Sequence, residues 1–287
     1  VTVAFTTATL LTSGNFVTIK WPFRYLSADV GGAGTLGVTY AGAANTFAST
    51  TFPGSGSNSS IVVFIEVGSN GAATGAYTVT LTGATIGAPI AASASTGFAV
   101  STAYDLAGVS GYPALGGTVT SVNVVVASGD RVPLTGSKPV TVSFTTQTAL
   151  TNNQLVTITW PAVGGGSYYS GTIAVTYGGA ANTFATTTSA ITNGVTIAVG
   201  TAGAAAASYT ITLTGATMGS PIAANALTGV IVGTTTDLSG VTGYPALGGQ
   251  VTAATLTIAA ADRQPFAANR KVIVSFTLAT ALVPTNT

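Results

Sequence analysis

The chain reads as an all-β protein built from tandem immunoglobulin-like β-sandwich domains, and three observations predict this class. It aligns with itself over most of its length, the repeated blocks alternate apolar and polar residues with a period of two, and clusters of Gly, Asn and Pro separate them. No segment carries a 3.6-residue apolar period over ten or more residues, so little helix is expected.

The first block, VTVAFTTATLLTSGNFVTIKWP from Val1, matches VTVSFTTQTALTNNQLVTITWP from Val140, with Trp21 falling on Trp160. Within it Val17, Ile19 and Trp21 share one face of a strand, as do Val156, Ile158 and Trp160, which assigns both faces to a core. The match continues through VTYAGAANTF (Val38 to Phe47) and VTYGGAANTF (Val175 to Phe184). Further strands are expected at Val62 to Val67, Tyr77 to Leu81 and Val119 to Val126, with partners at Val195 to Val199, Tyr209 to Leu213 and Val251 to Ile258. The longest shared block is DLAGVSGYPALGG from Asp105 against DLSGVTGYPALGG from Asp237. Each unit closes on an Asp-Arg pair, and the motif restarts as VIVSFTLATAL at Val272.

The domains read in this way are residues 1–139 and 140–271, with 272–287 forming the first strand of a third. That strand either continues a longer array or donates itself to complete a fold elsewhere. The period exceeds the roughly 20–50 residues of solenoid repeats, so each unit has the size of a whole domain with its own core. The strands match between units, whereas Phe23 to Gly34 differs from Ala162 to Gly171 and the segment after Phe47 is longer than that after Phe184. Unit-specific function is expected in those two loops.

Composition narrows the function classes. Only 5% of residues are charged, against roughly a quarter in an ordinary soluble domain. The net charge is +1 and no basic cluster exceeds Arg270 with Lys271, so no nucleic-acid footprint is present. Thr, Ser and Gly interrupt the apolar residues before any run reaches the ~18 that a spanning helix requires. Cysteine and histidine are both absent, which removes disulfides, Ser-His-Asp and Cys-His catalysis, and His-containing metal sites. The chain starts at Val1 with neither Met nor a signal-peptide pattern, as in a mature product or a window of something longer.

Several residues remain as candidates for sites. Asp105 and Asp237 offer hard oxygen ligands for Ca²⁺, or cap their own turns; the lack of a D-x-D-x-D-G spacing favours the cap. The pairs Asp130-Arg131 and Asp262-Arg263 either fix the angle between consecutive domains or form a solvated linker. Lys20 and Glu66 have the residue types of an intramolecular isopeptide bond, but both lie out of phase with the core positions, which favours an exposed cross-strand pair. Asn58 heads the glycosylation sequon Asn58-Ser59-Ser60. Tyr25, Tyr168 and Tyr169, in the loop after the tryptophan, suit stacking on a sugar ring or contact with a neighbouring subunit.

At VTVSFTTQTALTNNQLVTITWP, the Ala-Asp-Arg spacer and YTITLTGATMGSPIA, the chain resembles the long Thr-, Ala- and Gly-rich repeat proteins of microbial and algal cell surfaces. It looks like the Ig-like units of S-layer proteins, giant adhesins and extracellular filaments. The resemblance implies an extracellular location and a mechanical, non-catalytic role without a cofactor. The partner expected is the chain itself, through near-neutral surfaces and exposed sheet edges. A stalk or module of an adhesin that binds carbohydrate is the alternative.

Overall fold

The computed structural model describes residues 1–22, 25–26, 37–51, 61–163, 166–171, 173–263, 265 and 268–279. Among them the protein is all-β: strands and turns carry the fold, and the helical content is two short 3₁₀ turns at Ser128–Asp130 and Ala260–Asp262. The chain divides into two compact units, Val1–Thr118 with Thr235–Leu238, and Val119–Thr234 with Ser239–Thr287.

In the first unit the strands are β1 (Thr2–Thr7), β2 (Phe16–Trp21), β3 (Gly37–Tyr40), β4 (Phe47–Thr51), β5 (Ile61–Val67), β6 (Gly75–Thr82), β7 (Ser93–Thr102), β8 (Gly108–Tyr112) and β9 (Gly117–Thr118). They form a three-stranded antiparallel sheet in the order β1-β6-β3 and a five-stranded one in the order β4-β5-β2-β7-β8. Alternation puts Val3, Val79 and Leu81 of the first sheet, and Val17, Ile19, Trp21, Val63, Ile65 and Val67 of the second, in one buried cluster. Both sheets therefore cover a single core, with Val17 directly opposite Ile65 and Ile19 opposite Val63.

The second unit repeats this plan and adds to it. Its strands are β10 (Thr120–Val125), β11 (Lys138–Thr145), β12 (Leu155–Thr159), β13 (Ala162–Val163), β14 (Gly166–Ser167), β15 (Tyr169–Ser170), β16 (Ala174–Tyr177), β17 (Ser189–Ile191), β18 (Gly194–Ala198), β19 (Ser208–Met218) and β20 (Asn225–Thr234). Next in the chain comes β21 (Asp237–Leu238), which belongs to the first unit and pairs there in parallel with β9; β22 (Gly240–Tyr244), β23 (Thr252–Ile258) and β24 (Val272–Thr277) complete the second unit. One sheet runs β10-β11-β19 with β15 and β16 on the far side of β19, and the other runs β17-β18-β12-β20-β22. Val140, Val142, Phe144, Val156, Ile158, Trp160, Ile197, Ile211, Leu213, Val230 and Val232 share the core, joined by Val124 and Val126 at the end of β10.

The strand before the Asp-Arg pair sits differently from the sequence division at 139/140. β10 pairs antiparallel with β11, Val124 opposite Val142, so hydrogen bonding assigns residues from Val119 onward to the second unit. The reason lies in what repetition reveals. Self-alignment finds the period, but every circular shift of the cut yields the same repeats, and only strand pairing fixes the phase. The same hairpin recurs as β23 and β24, with Leu256 opposite Val274, and none of its described residues is buried.

Local chemistry is shared by both units. The Tyr77 hydroxyl donates to the Ala73 carbonyl at 2.7 Å, and Tyr209 donates to Ala205 at the same distance. Gly97, with φ of 99°, lies under the ring of Tyr112, and Gly229, with φ of 117°, lies under Tyr244. A Cβ at either glycine would stand 2.6 or 2.3 Å from the ring, so both the backbone angle and the close approach require glycine.

Candidate functional site

The three loop tyrosines belong to the core, which corrects their reading as ligand or subunit contacts. Tyr25 stacks on Trp21 with ring centroids 5.6 Å apart and meets Tyr112 edge-on at 5.3 Å. Tyr168 packs against Tyr244 at 5.3 Å and donates its hydroxyl to the Pro245 carbonyl at 3.0 Å. Tyr169 meets Trp160 edge-on, with its hydroxyl 2.6 Å from the Lys138 carbonyl and 3.0 Å from that of Leu213. All three are buried. Burial pushes the Tyr169 phenol up to about 12, a backbone hydrogen bond from Ala216 offsetting part of the rise. The same cause raises Tyr168, with Arg131 opposing and Tyr244 adding to it.

The loops that differ in sequence thus share a structural position. The Gly87 N–H donates to the Tyr25 carbonyl and the Gly219 N–H to the Tyr168 carbonyl, which makes Tyr25 and Tyr168 equivalent although the loops do not align. The longer second loop of the first unit, including Asn58, lies outside the described residues.

The aspartates accept backbone N–H groups remote in sequence, where the cap reading expected their own turns. Asp105 takes the Ala8 and Thr9 N–H groups at 3.1 and 3.4 Å and the Thr9 hydroxyl at 2.7 Å, tying the end of β1 to the turn before β8. The Thr9 hydroxyl is the main cause that lowers its pKa. Asp237, only 2% exposed, accepts the Gly117 N–H at 2.9 Å. Among the described residues no three of Asp and Glu converge on a common point for a metal ion.

In the Asp-Arg pairs the two members do not bind each other. The Lys138 ammonium meets Asp130 at 3.1 Å, and Arg270 meets Asp262 at 3.6 Å. The Arg131 Nε donates to the Val126 carbonyl at 2.9 Å, as Arg263 donates to that of Ile258 at 2.8 Å. Each set therefore staples the connection of its own hairpin, β10 to β11 or β23 to β24, where the sequence left open an interdomain bridge or a solvated linker. Lys20 and Glu66 also stay apart: both lie on the β2–β5 ladder, but Lys20 stands opposite Val62 and Glu66 opposite Phe16.

Among the described residues a groove of about 570 Å³ lies in the first unit. It runs between the edge strand β1 and the strands β7 and β8, and Phe5, Phe98, Val100, Tyr104, Leu106 and Val109 line it. Leu106 is 97% exposed and Val109 and Tyr104 are each 60% exposed, so its rim is apolar and open. The apolar alternation of Val119 to Val126 precedes VTVSFTT, and that of Val251 to Ile258 precedes VIVSFTL, marking a strand that travels with the next repeat. Among the described residues no helix is long and apolar enough to cross a membrane. Comparison of the chain with protein-family models, with curated proteins and with solved structures found no match.

Proposed function

We propose that the chain is a non-catalytic structural protein of the extracellular surface, whose immunoglobulin-like β-sandwich units associate with further copies into a filament, sheath or surface layer. The observation that carries this reading is the scarcity of charge: 5% of residues are charged and the net charge is +1. With few charges to repel a neighbour, association of like surfaces is favoured.

The immunoglobulin-like part of the reading is supported by two antiparallel sheets around one core, a core tryptophan in each unit, and the tyrosine hydroxyls of Tyr77 and Tyr209 bonded to backbone four residues upstream. The alternative of a carbohydrate-binding stalk draws on tyrosines that are inside the core, so assembly is the reading retained. Electron microscopy and sedimentation of native material test it: polymers are expected, and a strictly monomeric native protein overturns it.

A further inference from the structure

The two units share the inward residues of one sheet and differ in what that sheet shows outward. The ladders match Val17, Ile19, Val63 and Ile65 with Val156, Ile158, Val195 and Ile197, all of them buried. At the alternate positions, on the outer face of β2 and β5, the first unit places Phe16, Lys20, Phe64 and Glu66. The second unit has Leu155, Thr159, Thr196 and Ala198 there, on β12 and β18. An aromatic pair and two opposite charges thus share one face of one unit, and the equivalent face carries neither.

In a chain with seven basic and six acidic residues the placement of two charges on one sheet is informative. Asp105 with Asp237, Asp130 with Asp262 and Arg131 with Arg263 recur between the units, and their contacts hold turns and hairpins. Lys20 and Glu66 have no such counterparts. Lys20 is exposed, and Phe16, 42% exposed, meets the half-buried Phe64 edge-on with ring centroids 6.1 Å apart.

We propose that this face is self-complementary, so that the first units of two copies pack sheet to sheet about a two-fold axis. The proposal rests on the assembly reading and names one surface that assembly uses. Its occupant follows from where the charges stand. Glu66 lies opposite Phe16, Phe64 opposite Thr18 and Val62 opposite Lys20, so the two charges flank the Thr18–Phe64 pair, one on each side. At about 3.3 Å per residue along a strand and about 4.8 Å between strands, their backbones are roughly 14 Å apart. A two-fold axis in the plane of the face, crossing the strands at Thr18 and Phe64, brings Lys20 of each copy over Glu66 of the other. Phe64 then lies on the axis and meets its own copy. The same spacings make the strands of the two sheets cross at about 40°, close to the about 30° of packed sheets.

Phe16 and Phe64 supply the apolar area of this contact, and the reciprocal charge pairs set its register. They also select the partner face. Docked on the outer face of β12 and β18, Lys20 and Glu66 would meet only uncharged residues and lose water without gaining a partner.

Charge reversal in the full chain tests the contact by sedimentation over a concentration series up to about 1 mM. Lys20→Glu and Glu66→Lys each convert both reciprocal pairs into like-charge pairs, and each is expected to raise the association midpoint at least about tenfold over wild type. An equimolar mixture of the two variants opposes an acidic face to a basic one and is expected to associate at least as tightly as wild type. Melting curves matching wild type show that the variants fold. Lys20→Thr, which installs the second unit's residue, carries the test in the same direction if a reversal does not fold. Association unchanged in the single variants, or a mixture no tighter than either variant alone, overturns this interface and leaves assembly standing. A wild-type chain that remains monomeric throughout overturns both.

Discussion

Ionising Tyr169 removes a buried hydrogen-bond donor from between two backbone carbonyls, and its position sets the cost. Its phenol is raised from an ordinary 10.0 to about 12 because burial penalises the phenolate. The folded state thus holds the proton at pH values where the unfolded chain releases it. This contribution to stability is complete below pH 10 and disappears as the pH rises from 10 to 12. Two pH units correspond to roughly 2–3 kcal/mol at 1.36 kcal/mol per unit. Tyr168, raised by the same cause, acts in the same direction. Denaturant titrations between pH 8 and 12 measure the effect. The fluorescence of Trp160, whose ring lies 6.0 Å from that of Tyr169, reports it in a Trp21→Phe background. Tyr169→Phe is expected to lower stability at neutral pH by about 1–3 kcal/mol, through the carbonyls left without their donor, and to flatten the alkaline slope. Wild-type stability that stays level up to pH 11.5, or a slope unchanged by Tyr169→Phe, refutes the reasoning.

Three further outcomes follow from contrasts between equivalent positions. Gly240→Ala should destabilise the second unit by about 1–3 kcal/mol by driving a methyl into the Val119 carbonyl, while Gly108→Ala stays within about 0.5 kcal/mol; thermal melts of the pair decide it. Phe144→Ala, at a site 1% exposed, should cost about 3–5 kcal/mol, whereas Phe276→Ala, at the equivalent site 54% exposed, should cost under about 0.5 kcal/mol by denaturant unfolding. Trp160→Phe should cost less than the about 3–5 kcal/mol of Trp160→Ala, because the buried indole N–H has no hydrogen-bond partner to lose; equal losses in calorimetry would contradict this.

Much of the architecture was legible in the chain before any coordinates. Strand identity is a local property: alternation of Val, Ile and Trp with Thr, as in Val17 to Trp21, selects a face that must be buried, and each strand expected at 62–67, 77–81, 119–126 and their partners is present. The absence of His and Cys is equally a fact of composition. Candidate sites fared differently because they depend on which residues meet. Tyr25 and Tyr168 read as surface residues in loops that differ in sequence, since nothing local says that Tyr25 meets the Trp21 ring or Tyr168 that of Tyr244. Asp130 and Arg131 are neighbours in the chain, yet their side chains find Lys138 and the Val126 carbonyl instead.

The sequence by itself determined the all-β class, the repeat and the alternation that assigns core faces, because these follow from residue chemistry read over short windows. Only the tertiary structure decided where a unit begins and which tyrosines are core. Those facts depend on pairing between segments far apart along the chain, and a periodic sequence offers the same strand to more than one partner.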